Sequence, residues 1–381
     1  VLNVSDLDYE LPESAIARTA AEPRDAAKLL VVKRTDPSFV EHRRVSDLPE
    51  LLKPRDLLVV NSTRVLPARL IGYRADTGGG VEGLFLGLAG DGKNERRWSV
   101  LLRGRRMKPG ITINLRTEDD AETGVRLALI EHATPEGEGE GALPWVVEVY
   151  GAKDGESATA ILERVGRTPL PPYILGARKR HEDHIADRSD RARYQCVYAG
   201  EQAGSVAAPT AGLHFTPPLL DALKNKGVHR AEVTLHVGTG TFKPVECPVV
   251  EEHPMHAEWC SLPAETGAAV RAARAEGGRI FAVGTTSART LESFAPNELE
   301  AGGEKWSKLL ITPGFTFKNL DGLMTNFHLP RSTLMAMVGA LLDGRSGGSG
   351  DGVARLKSLY AQALDKRYRF YSYGDAMLVL P

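Results

Sequence analysis

Between residues 68 and 151 the chain changes texture, and that change constrains the fold more than any other feature. Six short segments, ARLIGY, GVEGLFLGL, RWSVLL, GITINL, VRLALIEH and WVVEVY, are rich in branched residues and separated by Gly, Pro or acidic turns. Segments so spaced, with no helix signal among them, build a small all-β barrel or sandwich. The EGEGEG stretch at residues 136–141 reads as a solvated hairpin tip. On either side of this block the pattern is α/β. Before it come the apolar run Leu29–Val32, a short helix in SDLPELL and the strand DLLVV, which runs into the polar turn Asn61-Ser62-Thr63-Arg64. After it, SATAILERVG has Ser157 as N-cap and Gly166 as stop, and TPPLLDALKNKG pairs Thr216 and Pro217 with Gly227. Strand and helix signals then alternate through AEVTLHV, AETGAAVRAARAEGG, RIFAVG, SARTLESFA and KLLIT, ending in STLMAMVGALLDG, VARLKSLYAQALDK and the aromatic YRFYSYGDAMLVL. The expected architecture is a discontinuous mixed α/β main domain, residues 1–70 and 152–381, with a largely parallel or mixed sheet. It carries an inserted small all-β barrel domain at residues 71–151. A length of 381 residues, at roughly 150 per domain, agrees with two domains.

Composition removes several function classes. Lys and Arg number 48 against 49 Asp and Glu, a net charge of −1, so any nucleic-acid site must be a local patch. No apolar run approaches the roughly 18 residues of a membrane span. The N-terminus, VLNVSDLDYELPESAIA, has acids where a secretory signal has basic residues, so a cytoplasmic location is expected. The three cysteines, Cys196, Cys247 and Cys260, form neither a disulfide framework nor a CxxC zinc pattern.

Four histidine-bearing turns are the places to look for chemistry: PTAGLH with Thr210 and His214, LHVG with His236 and Gly238, HPMH with His253 and His256, and NFHLP with Asn326 and His328. Each histidine alone is better explained by a structural hydrogen bond; four beside tight turns point to a shared cleft. His253, His256 and Glu258 have only loosely metal-like spacing, and Pro254 breaks the helix that would align them, so no metal is expected. VTLHVGTGTFKPV begins like a nucleotide-binding loop, with Gly238 and Gly240, but Phe242 and Lys243-Pro244 stand where a helix should start. RIFAVGTTSARTLES is the better polar-ligand candidate: a strand ends at Gly284, and hydroxyls and amides gather at a helix start, with Thr286, Ser287 and Arg289. Arginine there opposes the helix dipole, which a carboxylate or phosphate partner explains. Basic clusters with aromatics nearby include Arg105 and Arg106, Arg178-Lys179-Arg180, the run from Arg188 to Arg193, and Arg367 with Arg369, all suited to phosphate contact.

Taken in order, LDYELPESAIA, RDAAKLLVV, NSTRVLPARL, PLPPYI, GSVAAPTAGLHFT, VTLHVGTGTFKPV, HPMHAEW, AVGTTSARTLES, TNFHLPRSTL and YRFYSYGDAML resemble the S-adenosylmethionine:tRNA ribosyltransferase-isomerase family of queuosine biosynthesis. The resemblance implies a monomer that transfers and isomerises the ribosyl part of S-adenosylmethionine onto 7-aminomethyl-7-deazaguanine in the tRNA anticodon. Epoxyqueuosine forms, adenine and methionine leave, and no cofactor beyond S-adenosylmethionine as co-substrate is implied. Ser62 departs from the family's usual Asp and Cys196 from its usual Thr, and the stretch 176–193 is long and basic for its place, either a tRNA contact or a mobile loop. Within that chemistry His214 and His236 are candidate acid/base groups, and Glu258 a base or a counter-charge to the sulfonium. Thr286, Ser287 and Arg289 are candidates for the methionine carboxylate or ribose hydroxyls, with Thr210, Gly238 and Gly240 also in the substrate site. Asn326, His328 and Asp375 are candidates for a heterocycle edge. An RNA methyltransferase and a non-catalytic RNA-binding protein are the alternatives.

Overall fold

The structure, a computed structural model, describes residues 1–133, 143–201, 203–238, 245–343 and 351–381. In chain order the first strands are β1 (Lys28–Lys33), β2 (Val40–Arg44), β3 (Leu57–Asn61) and the two-residue β4 (Arg64–Val65). Six more follow: β5 (Arg69–Arg74), β6 (Gly80–Leu88), β7 (Arg97–Arg103), β8 (Thr112–Arg116), β9 (Glu122–His132) and β10 (Trp145–Tyr150). The rest are β11 (Ala203–Ser205), β12 (His229–Leu235), β13 (Glu258–Leu262), β14 (Ile280–Val283), β15 (Gly303–Ser307), β16 (Gly322–Asn326) and β17 (Ala376–Leu380).

Strands β5 to β10 close an antiparallel barrel in the order β10-β7-β6-β5-β8-β9. Alternation makes this possible: along β6 and β7 inward residues such as Val81, Phe85, Trp98 and Val100 are buried while their neighbours are not. The helix Ala158–Val165 packs Ile161, Leu162 and Val165 into the same core. Its cap is the expected one, with Ser157 accepting from the Ala160 amide. The EGEGEG stretch lies outside the described residues.

The main sheet has nine strands among the described residues, ordered β15-β13-β12-β3-β14-β16-β17-β1-β2. It is mixed. Strands β12, β3, β14 and β16 are mutually parallel, β17 and β1 run parallel to each other but opposite to β16, and β13, β15 and β2 are antiparallel additions. Leu30 and Val32 of β1, like Leu57 and Val59 of β3, face one core, and Leu29, Val31, Leu58 and Val60 face the other. Burial on both faces accounts for the unbroken apolar runs LLVV and LLVV in these strands, each buried side chain contributing about 1.5–3 kcal/mol.

Three expectations change. The basic stretch after PLPPYI forms two helices, Pro172–Arg180 and Asp187–Arg193. KLLIT is not a strand: the edge strand is the preceding Gly303–Ser307, while Leu309 and Leu310 line a cleft and Ile311 enters the core. Only the end of YRFYSYGDAMLVL is a strand, because Tyr371 takes a left-handed φ of 73° in a turn closed by the Gly374 amide donating to the Tyr371 carbonyl.

At the amino ends of β3 and β14 one carboxylate ties neighbouring strands together. Asp56, 1% exposed, accepts from the backbone amides of Lys53 (2.8 Å) and Arg279 (3.0 Å) and from Arg279 Nε (3.0 Å). Asp56→Ala leaves these donors without their acceptor, so a loss of about 3 kcal/mol is expected in urea unfolding of the main domain. A change under about 0.5 kcal/mol contradicts the assignment.

Candidate active site

Because β12, β3, β14 and β16 are parallel, their carboxyl ends share one edge of the sheet, the place where open α/β sheets bind ligands. His236-Val237-Gly238 leaves β12 there, Ser62-Thr63 leaves β3, Gly284-Thr285-Thr286 leaves β14, and β16 ends in Asn326 before Phe327-His328. Antiparallel β13 starts at the same edge with Glu258.

A cleft of about 440 Å³ opens at this edge, within the usual size of small-molecule sites. His236, Gly238, Glu258, Trp259 and Arg289 line it, with Leu86 from the barrel. Leu86 is brought there by a bulge: Phe85 and Gly87 pair with consecutive residues of β7, leaving Leu86 without a partner. The His236 ring is fixed on three sides. Thr63 Oγ1 lies 2.9 Å from Nδ1, Trp259 stacks on the ring at 4.9 Å and 21°, and Gly204 packs so closely that a Cβ there would fall 2.7–2.9 Å from ring atoms. Burial pushes its pKa below the ordinary value, so the imidazole is neutral at pH 7.

Glu258 and Arg289 are 6% and 4% exposed and form an ion pair through Arg289 Nη1. Glu258 Oε1 also accepts from the Gly238 amide at 3.0 Å. Arg289 Nε and Nη2 are buried with no hydrogen-bond acceptor among the described residues. Two donors on one guanidinium, both unmatched, match the two oxygens of a carboxylate.

A narrower pocket of about 50 Å³ shares Val237 and Leu334 with the cleft. Thr210 Oγ1 donates to Asn326 Oδ1 at 2.9 Å, and Asn326 Nδ2 donates to the Tyr371 carbonyl at 3.2 Å. Asn61 Nδ2 donates to Thr286 Oγ1 at 3.1 Å, and the Tyr173 and Ser372 hydroxyls share a short hydrogen bond. His328 also lines this pocket, its Nε2 2.7 Å from Thr325 Oγ1 and its carbonyl accepting from Tyr9 Oη at 2.6 Å. Its pKa is lowered by burial to about 3, so it is a neutral hydrogen-bonding group and no acid for neutral pH.

His214, Asp375 and Ser287 fall outside the two cavities. His214 has Nδ1 3.0 Å from the Ala211 carbonyl and Nε2 2.9 Å from the Gly374 carbonyl, so it braces one turn against another and has no nitrogen left for substrate. Asp375 gives one oxygen to the Lys28 amide (3.0 Å) and the other to the Arg369 amide (2.8 Å), which occupies it structurally. Ser287 is fully buried and donates back to the Val283 carbonyl at 2.8 Å. Gly240 lies outside the described residues. His253 and His256 line the cleft, but Glu258 is engaged as above, and the described residues hold no group of three or more His, Cys, Asp or Glu placed to hold a metal ion.

The basic patches divide in the same way. Arg178 is buried against Asp190 in a two-pronged pair (2.6 and 2.8 Å), Arg180 pairs with Glu13, Arg191 with Asp187 and Glu163, and Arg369 with Asp375 and the Thr19 carbonyl. Most arginines of the 176–193 stretch are therefore paired, some with carboxylates outside it, while Arg105, Arg106, Lys179 and Arg367 are exposed. Ser62 Oγ donates weakly to the Val233 carbonyl (3.4 Å), and Cys196 is a buried thiol whose pKa burial raises to about 12. Sequence reasoning missed Asn61, Thr63, Gly204, Trp259, Tyr173 and Tyr371; the polar turn Asn61–Arg64 and the HPMHAEW motif held local signals for three of them, Asn61, Thr63 and Trp259.

The buried His328 has a consequence for stability. Between about pH 6.5 and 3 the unfolded chain binds a proton there that the folded protein refuses, so its contribution is whole above pH 6.5 and is lost as pH falls toward 3. His328→Gln is expected to flatten thermal stability against pH in that window; an unchanged slope contradicts the assignment.

The chain matches the queuosine biosynthesis protein family over residues 4–379. It is 46% identical to the S-adenosylmethionine:tRNA ribosyltransferase-isomerase of Gloeobacter violaceus, covering 98% of this chain and 95% of that one. With the enzyme of the same name from Heliobacterium modesticaldum it shares 44% identity over the whole of both chains. A crystal structure of S-adenosylmethionine tRNA ribosyltransferase from Thermotoga maritima aligns with a TM-score of 0.51 at 32% identity, covering 98% of this chain and all of that one. With matches that run from end to end and include every segment lining the cleft, the chain belongs to the queuosine biosynthesis protein family.

Proposed function

We propose that the protein is an S-adenosylmethionine:tRNA ribosyltransferase-isomerase. It transfers and isomerises the ribosyl moiety of S-adenosylmethionine onto 7-aminomethyl-7-deazaguanine in the tRNA anticodon, giving epoxyqueuosine and releasing adenine and methionine. The observation that carries this reading is the cleft itself, where a neutral imidazole, a carboxylate and a guanidinium with two unmatched donors line one wall. Full-length identity to enzymes of that name supports it.

The chemistry asks for these groups. A sulfonium beside C5′ acidifies the C5′ hydrogens, and a base that is neutral near pH 7 removes one as the ribose opens and adenine departs. His236 is that base: Thr63 and Trp259 orient it and burial keeps it unprotonated. Arg289 receives the methionine carboxylate on Nε and Nη2. Glu258 is neutralised by Arg289 and holds that guanidinium in place, so its role is to aim the arginine rather than to pair with the sulfonium. Thr210, Thr286 and Asn326 present hydroxyl and amide groups to a heterocycle edge in the narrower pocket. The RNA amine must arrive uncharged to attack. This reading needs S-adenosylmethionine as co-substrate and no metal or further cofactor, and takes the enzyme as a cytoplasmic monomer. Among the described residues no helix is long and apolar enough to cross a membrane. Exposed Arg105, Arg106, Lys179 and Arg367 are the basic groups available to RNA phosphates.

The test is product analysis with S-adenosylmethionine and tRNA carrying 7-aminomethyl-7-deazaguanine. Adenine and methionine are expected, and only with that tRNA; S-adenosylhomocysteine means methyl transfer, and no product means binding alone. His236→Ala is expected to lower turnover about 10²- to 10⁴-fold. A fall of less than about tenfold contradicts the role of His236.

A further inference from the structure

The rim of the cleft carries a tryptophan that neither the fold nor the acid–base chemistry uses. Trp306 sits on the edge strand β15, is 69% exposed, and still lines the cleft. In the register of the sheet it lies directly opposite Trp259 of β13. Trp259 in turn receives the His236 amide on its carbonyl at 3.1 Å, where β12 ends. Directly opposed residues in antiparallel pairs share a face, so His236, Trp259 and Trp306 make one row across three strands. The inner two rings are stacked. Two strand spacings place Trp306 about 10 Å from the imidazole, too far to touch the reacting atoms.

Single exposed apolar residues are common and need no explanation. This one continues an aromatic row that begins at the base and ends at the mouth of the same cleft. We propose that Trp306 is a stacking platform for an unpaired nucleobase of the RNA substrate, beside the nucleotide being modified. The inference rests on the functional reading above and extends it to how the RNA is held. A small co-substrate is enclosed over most of its surface, whereas the Trp306 ring stands largely in solvent and can cover one face of a planar group. A base in a loop of RNA meets that geometry: it approaches from solvent, places one face on the indole and keeps its other face for its own neighbours. Trp306 is thus a positioning residue, setting where the modified nucleotide enters.

The experiment measures equilibrium binding of the full chain to an anticodon stem-loop RNA carrying 7-aminomethyl-7-deazaguanine and, separately, to S-adenosylmethionine, together with KM for each. Trp306→Ala is expected to weaken RNA binding about 5- to 150-fold, the worth of one base–aromatic stack, and to raise the RNA KM in step. Binding of S-adenosylmethionine is expected to be unchanged. Trp306→Phe restores most of the RNA affinity, while Trp306→Leu, which keeps apolar bulk without an aromatic face, does not. Unchanged RNA affinity in Trp306→Ala overturns the proposal. Weakened S-adenosylmethionine binding with RNA affinity intact also overturns it, by assigning the ring to the co-substrate's adenine. Binding is read without turnover, so a protein that binds the RNA but releases neither adenine nor methionine defeats the functional reading and leaves the stacking result to be judged by the variants alone.

Discussion

Glu258 and Arg289 carry opposite charges on two different elements, and both are almost wholly removed from water. Desolvating either alone is costly, and their attraction offsets that cost only while the strand β13 and the helix Thr285–Ser293 hold them together. The Gly238 amide adds a third element by donating to the same carboxylate. One ion pair therefore fixes the start of β13, the turn after β12 and the helix after β14, which are three walls of the cleft. It also leaves Arg289 with two buried donors unmatched, a desolvation already incurred before any ligand binds. A carboxylate that satisfies both donors gains the hydrogen bonds without that part of the cost, which is how preorganised sites bind anions.

The remaining parts follow from the sheet. Parallel pairing of β12, β3, β14 and β16 delivers four polar turns to one edge, and Asp56 clamps β3 to β14 at the opposite ends, away from the chemistry. The barrel contributes Leu86, aimed by a bulge, so the inserted unit supplies wall to the cleft as well as a separate core. The two exposed arginines at the β7–β8 connection, Arg105 and Arg106, give that unit a basic tip.

Much of this was legible in the sequence because it depends on local periodicity. All six barrel segments, the Ser157 and Thr216 caps, and the strand-to-helix step at Gly284 are where spacing and capping residues put them. Turn-borne His236, Gly238, Thr210, Asn326 and His328 do line the two cavities. What failed was orientation. His214, Asp375 and Ser287 sit in equally suggestive motifs, yet their polar atoms meet backbone groups brought in from elsewhere in the fold or one helical turn back. Arg178 looked like a phosphate contact because its partner Asp190 lies on the next helix, and nothing local announces a pairing across a turn. Gly204 and Trp306 gave no signal at all: the first matters only because a ring packs on it, the second only because of the strand register.

The central claim is that His236, held at the carboxyl end of β12, removes the C5′ proton of S-adenosylmethionine. The most direct test uses S-adenosylmethionine deuterated at C5′ with the modified tRNA, following deuterium released to water alongside adenine. The account predicts that the wild-type protein releases both together and that His236→Gln slows both by the same factor. Deuterium release from His236→Gln at the wild-type rate would contradict it.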